Sequence, residues 1–164
     1  MDLTQQRLRE LLDYNPLTGV FVWRVVRGGP SKDGNEAGCV MGNGYVRITV
    51  EKRSYAAHQL AWFYMTGEWP PSEVDHINLI RSDNSWANLR LATLSQNRAN
   101  TGKRSHNTSG FKGVSFHPGT QKWRAIIAKD GTRHSLGLFS SPDLAGEAYA
   151  RKANELFGEY ARAA

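Results

Sequence analysis

The sequence predicts an α+β protein of two modules, and four observations carry that reading. The 164 residues suit one ordinary domain or two small ones. With 40% hydrophobic and 10% aromatic residues they can build a packed core. Strand-period and helix-period patterns alternate along the chain without an internal repeat. Finally, the polar, basic segment TGKRSHNTSG at 101–110 separates a compact last third from the rest and reads as a linker. The expected boundaries are 1–101, a basic linker at 102–110, and 111–164. Such a linker implies that the chain can be cut after Thr101 without exposing the first core.

Each element follows from local signals. A helix is predicted over 4–13, with Thr4 as N-cap and Leu8, Leu11 and Leu12 on one stripe. Asn15-Pro16 and Thr18-Gly19 mark turns. Residues 20–25 read as a strand, 27–44 as a glycine-rich loop, and 45–50 as an alternating strand whose partner begins near Tyr55 after a turn at 51–54. Residues 58–66 have helical character and end at Gly67, a good C′ residue. A short strand at 74–77, a turn at Ser82-Asp83-Asn84 and a second strand at 89–92 come next. Thr93-Leu94-Ser95-Gln96 then fits a capping box that opens a helix. In the last third, 111–116, 122–128 and 133–139 read as strands joined by Pro118-Gly119 and Asp130-Gly131 turns. Ser141-Pro142 opens a helix that ends at Gly158, with a stripe of Ala145, Ala148, Tyr149, Leu156 and Phe157. Alternation turns Trp123, Ala125 and Ile127 toward that helix and Lys122, Arg124 and Ile126 outward.

Composition narrows the function. No apolar run approaches the ~20 residues of a membrane span. The opening MDLTQQRLRELLDYN lacks the apolar core of a secretory signal. Cys39, the only cysteine, excludes a disulfide framework and a CxxC zinc site. The expected location is therefore the cytoplasm. Lys and Arg number 21 against 15 Asp and Glu, a formal charge of +6. No acid occurs from Asn84 to Lys129, a stretch that carries Arg90, Arg98, Lys103, Arg104, Lys112, Lys122, Arg124 and Lys129. A basic stretch of this kind favours a polyanion, because each neutralised phosphate releases counterions.

The residues suited to chemistry gather at Asp75-His76, Asn88 and Asn97. Phosphodiester hydrolysis needs a base for water and a divalent ion on the phosphate. Imidazole can be the base near neutral pH. Carboxylate and amide oxygens are hard donors suited to magnesium. One geometric condition applies: neighbours on a regular strand point to opposite faces, so Asp75 and His76 serve one phosphate only where the backbone bends or the ion sits at the strand edge.

Residues 45–100 resemble the HNH endonucleases, the ββα-metal family, and within it the phage and intron-encoded branch. The matching text is Tyr55-Ala56-Ala57-His58-Gln59-Leu60-Ala61-Trp62, Val74-Asp75-His76-Ile77-Asn78, Asp83-Asn84, Asn88-Leu89-Arg90, Ala92-Thr93 and Gln96-Asn97. The resemblance implies a ββα nuclease core behind a β-rich N-terminal extension. By position it implies that His76 is the general base, that Asp75 and Asn97 hold the metal, and that Asn88 braces the loop as part of the catalytic set. Asn97 stands where many members carry His, which favours magnesium or manganese over zinc. His58 also matches the family text, and its helical setting assigns it to structure. Arg81 and Arg90 are candidate phosphate contacts.

Residues 111–160 resemble the Apetala2/ethylene-response-factor type of DNA-binding domain. The matching text is Phe111-Lys112-Gly113-Val114, Lys122-Trp123-Arg124-Ala125, Leu136-Gly137-Leu138-Phe139 and Ala145-Gly146-Glu147-Ala148-Tyr149 with Asn154. This implies a three-stranded antiparallel sheet lying on DNA with one helix behind it. Lys112, Ser115, His117, Lys122, Arg124 and Arg133 would be contacts, joined by Arg90 and the linker residues Lys103 and Arg104. Ser115, His117, Ile126 and Ala128 stand where plant members usually carry charged readers, so backbone anchoring is the safer expectation than sequence reading.

Together these readings describe a metal-dependent DNA endonuclease of phage or mobile-element type, working in a host cytoplasm. It would nick one strand per site unless two chains cooperate, and need double-stranded DNA but neither a membrane nor a small-molecule cofactor. The alternative is a non-enzymatic DNA-binding regulator with a vestigial nuclease core, against which the complete set Asp75, His76, Asn88 and Asn97 argues. An RNA-binding role lacks the aromatic stacking platform it would use.

Overall fold

The computed structural model describes residues 3–25 and 34–162. The chain divides into two compact units, Met1–Ala92 and Thr93–Ala164. The boundary expected at 101/102 therefore falls inside the second unit.

The first unit opens with α1 (Gln5–Leu11), whose N-cap Thr4 accepts from Arg7 N–H. The predicted helix stops two residues early: Leu12 is already extended, and β1 (Leu12–Tyr14) pairs antiparallel with β2 (Phe21–Trp23). The Asn15–Gly19 turn between them is closed by Asn15 Oδ1, which accepts from Leu17 N–H and Thr18 N–H. Part of the predicted glycine-rich loop, 27–33, lies outside the described residues; within the rest, Cys39–Val40 form a short strand, β3. It pairs with β4 (Val46–Val50), which pairs in turn with β5 (Arg53–Ala56) around a turn at Glu51 and Lys52, both at positive φ. Helix α2 (Ala57–Thr66) ends at Gly67, φ 83°, as its terminal glycine predicts. Strands β6 (Glu73–His76) and β7 (Leu89–Ala92) form a separate antiparallel ribbon.

One core joins these pieces. Leu8, Leu12, Phe21, Ile48, Val50 and Leu60 are almost wholly buried together with Val74 and Leu89. Each such side chain contributes roughly 1.5–3 kcal/mol relative to exposure. The N-terminal segment is thus part of the core that supports the β6–β7 ribbon.

The second unit starts with α3 (Leu94–Asn100), opened by the predicted capping box: Thr93 Oγ1 accepts from Gln96 N–H and Gln96 Oε1 from Thr93 N–H. Its sheet runs β10–β9–β8, from β8 (Val114–His117), β9 (Lys122–Lys129) and β10 (Thr132–Phe139), with α4 (Pro142–Phe157) packed on one face. Phe111 lies ahead of the first strand rather than in it. Ala125 and Ile127 are buried under α4 while Lys122 and Arg124 are exposed, as alternation predicts. Gly113 sits at φ 70° against the Tyr149 ring and Ile126 C=O, where a Cβ would overlap both.

Helix α3 belongs to this unit by its packing. Ala99 is buried with Ile127, Tyr149, Ala153 and Phe157. Ser95 Oγ accepts from Asp130 N–H at 3.0 Å. The 102–110 segment is then not a free tether, because the helix before it already rests on the domain after it.

Candidate active site

The β6–β7 ribbon sets the register of the site. Asp75 lies directly opposite Arg90, and His76 opposite Leu89. Side chains opposite one another share a face, so the Asp75 carboxylate meets the Arg90 guanidinium, Nε donating to Oδ2 at 3.1 Å. Both are largely withdrawn from water, with Asp75 4% and Arg90 12% exposed. Arg90, expected as a DNA contact, has its guanidinium Nε engaged with Asp75. Burying two opposed charges together avoids the several kcal/mol that either alone would cost.

His76 ends its strand. The chain turns at once, Ile77 N–H donating to Asn88 C=O and Leu79 N–H to His76 C=O, with Leu79 at φ 65°. The His76 ring is 4% exposed and lies among His58 (centroids 5.1 Å), Tyr45 (5.9 Å) and Asn84, whose Oδ1 is 3.2 Å from Nε2. The Arg90 contact of Asp75 and the ring contacts of His76 thus involve different residues. Burial pushes the His76 imidazole below its ordinary pKa; the Asn84 hydrogen bond and the charges of Asp75 and Asp83 pull upward, and Arg81 pulls down again. The net direction favours the neutral form of the ring.

The loop 77–88 is built on amides. Asn88 Oδ1 accepts from Asn78 N–H at 2.9 Å and its Nδ2 donates to Asp83 C=O at 2.8 Å. Asp83 in turn accepts from Asn78 Nδ2, Ser85 N–H and Ser85 Oγ. One carboxamide thus joins both sides of the loop. Asn97 stands on α3, in the second unit, half-buried, with its backbone N–H on Thr93 C=O.

His58 lies closer to the chemistry than its helical setting suggested. Its ring packs on Tyr45 and His76, and its Nδ1 is buried without a hydrogen-bond partner among the described residues. Burial, reinforced by His76, lowers its pKa to about 4. Asn84 is part of the matching family text, but the sequence gives it no role: Ser82-Asp83-Asn84 reads as a turn, and only the tertiary fold turns its amide onto His76. Arg81, at the surface, donates to Asn43 C=O and lies over the Tyr45 ring.

In the second unit, Ser115, Lys122, Arg124 and Arg133 are exposed, and Ser115 and Arg124 are direct partners across β8 and β9. His117 is half-buried, its Nδ1 3.1 Å from Thr120 Oγ1. A cavity of about 530 Å³ opens between the sheet and the preceding segment, lined by Lys103, Arg104, His106, Ser115 and Arg133 among others. Lys103 reaches Gly110 C=O at 3.2 Å. Lys112 does not serve as expected. Its ammonium donates to the carbonyls of Arg98, Ala99 and Thr101, at 3.0, 2.6 and 2.7 Å. An ammonium has three hydrogens, and here all three cap the end of α3, leaving none for a phosphate. Burial lowers its pKa to about 8, so it remains charged at neutral pH and suits the negative end of that helix.

Among the described residues no group of three His, Cys, Asp or Glu forms a ready metal cage, and no helix is long and apolar enough to cross a membrane. Comparison with known proteins places the ribbon in context. Residues 55–99 match the HNH endonuclease family. An uncharacterized HNH endonuclease of Acanthamoeba polyphaga mimivirus is 35% identical over 88 residues, which are 54% of this chain and 44% of that protein. Protein 3.8 of Escherichia phage T7 is 34% identical over 106 residues, 64% of this chain and 87% of that protein. The chain thus spans less than half of the mimivirus protein and most of the phage one. No solved structure matches it.

Proposed function

The chain belongs to the HNH endonuclease family, and from that membership we propose that it is a metal-dependent nuclease that hydrolyses phosphodiester bonds in double-stranded DNA and nicks one strand per active site. The observation that carries this reading is His76, a buried imidazole next in sequence to a buried carboxylate inside the matched region.

In this reading His76 takes the proton from the attacking water. Asp75, and by its place in the motif Asn97, hold the divalent ion. The donor chemistry fits magnesium or manganese: Asp75 offers hard carboxylate oxygen, and magnesium keeps most of its waters and needs few protein ligands. Bound there, such an ion would polarise the phosphate and stabilise the leaving 3′ oxygen. Arg90 balances the Asp75 charge, and Asn88 keeps the loop at the end of the ribbon in shape.

The second unit is proposed as the anchor on DNA, as its resemblance to the Apetala2/ethylene-response-factor type implies. Its helix covers one face of the sheet, and Lys122, Arg124 and Arg133 are exposed with Ser115. Lys103 and Arg104 line a cavity with Ser115 and Arg133, and His117 pairs with Lys122 across β8 and β9. Supercoiled plasmid incubated with the protein should become nicked before it becomes linear when magnesium or manganese is present, and stay intact in chelator. Full cleavage in chelator would overturn the metal dependence. No cleavage with any divalent ion would overturn the nuclease reading.

A further inference from the structure

Asn84 is buried more deeply than either Asp75 or His76, at 2% exposure. Its amide orientation is set by its own partners. Nδ2 donates to Ser82 C=O at 3.1 Å, so the other end, facing His76 Nε2 at 3.2 Å, is the oxygen. An amide oxygen carries no hydrogen. The hydrogen in this contact is therefore on Nε2 of the imidazole, and in the neutral ring the lone pair is on Nδ1.

Asn84 is fixed in turn from the β1–β2 hairpin, outside the family match at 55–99. The buried Tyr14 hydroxyl donates to Asn84 C=O at 2.7 Å. Trp86 N–H donates to Pro16 C=O at 2.8 Å. Gly19, at φ 75°, lies flat against the Asn84–Ser85 peptide, where a Cβ would overlap the backbone. Two of these contacts from one hairpin fall on the peptide that follows Asn84, and the third holds the next peptide.

We propose that Asn84 is the positioning residue of His76: it holds the ring with its hydrogen on Nε2 and its lone pair on Nδ1, and the hairpin of residues 12–23 keeps Asn84 in place. The catalytic meaning of this arrangement rests on His76 being the general base, whereas the ring's hydrogen placement does not.

The test separates the two. Imidazole ¹⁵N spectra of the full chain, without DNA or metal and well above pH 7, should show the His76 hydrogen on Nε2, the resonance being assigned by its loss in His76→Gln. A hydrogen on Nδ1 would overturn the proposal whether or not the protein cleaves DNA. Asn84→Leu removes the acceptor. It should abolish the slow solvent exchange of the Nε2 hydrogen and lower kcat on the order of 10–100-fold, the range for partners that orient an active-site ligand, with KM unchanged. Asn84→Asp keeps an oxygen in place and should recover most of kcat. Tyr14→Phe should lower kcat by a smaller factor without changing KM. A folded Asn84→Leu variant with wild-type kcat and an unchanged spectrum would overturn the proposal. Should Asn84→Leu not fold, an Asn84→Asp variant with kcat as low as His76→Gln would do the same. Absence of cleavage by the wild type itself, with hydrogen on Nε2, would sink the nuclease reading and leave the positioning role standing.

Discussion

At His76 burial is the main influence that disfavours the protonated imidazole, with a smaller push in the same direction from Arg81. The nearby Asp75 and Asp83 charges oppose it. His76→Ala should lower kcat by ~10²–10⁴-fold, the usual share of a general base, and leave DNA affinity near wild type in a gel-shift assay, since affinity comes from phosphate contacts. Cleavage at the wild-type rate would take His76 out of the mechanism. His58 leads to a second prediction, about stability. Its folded pKa is about 4 against an ordinary 6.5, so between these values the unfolded chain binds more protons. Stability from this source is complete above pH 6.5 and is lost as pH falls toward 4, by roughly 2–3 kcal/mol at 1.36 kcal/mol per unit. Denaturant unfolding at pH 7 and pH 4.5 should show that loss in the wild type and a smaller one in His58→Phe. Equal pH sensitivity in the two proteins would mean that His58 is not the buried neutral group described.

The loop 77–88 and helix α3 show how much an element depends on single polar residues. Asn88→Ala leaves Asn78 N–H and Asp83 C=O without their partner, at about 0.5–1.5 kcal/mol for each bond lost. Melting temperature and kcat should fall together; a fall in kcat at unchanged melting temperature would point to direct substrate contact instead. Helix α3 has seven residues, too few to be stable alone. It is sustained by Ala99 against Ile127, Tyr149, Ala153 and Phe157, and by Lys112 on its last carbonyls. Cutting the chain after Thr101 removes all of these. Hydrogen exchange should then show residues 94–100 unprotected, and cleavage should be lost. Protection retained in the truncated chain would restore 102–110 as a true linker. Signals that act within a few residues made most elements readable in advance: the Thr4 and Thr93 caps, the Gly67 stop, the alternation of Lys122 to Lys129, the Ser141-Pro142 start. Leu12 was not readable as strand, because a leucine on a helical stripe serves equally well as the first buried residue of β1. The Asp75-His76, Asn88 and Asn97 pattern could be read from spacing and resemblance. Asn84 and Lys112 could not, because an asparagine in a turn and a lysine before a strand look like surface residues until the fold closes over them.

Over the whole molecule, charge is distributed unevenly by task. In the first unit, Arg90 is used on Asp75; in the second, Lys112 is used on α3, while Lys122, Arg124 and Arg133 are exposed. Counterion release gives each phosphate contact a slope of ~0.9 in log affinity against log salt. If these three residues each hold a phosphate, replacing all three with glutamine should reduce that slope by about 2.7, with the fold intact. Lys112→Met is the internal control. It should lower the melting temperature by uncapping α3 and, in a chain that still folds, leave the slope where it was, although by sequence Lys112 is as basic as the others. Arg124→Gln alone separates anchoring from reading: a base contact should cost ~1–3 kcal/mol at some sequences and little at others, whereas a phosphate contact weakens binding to all of them equally. An unchanged slope in the triple variant would move the anchor off the sheet, to Lys103, Arg104 and the cavity that they line with Arg133.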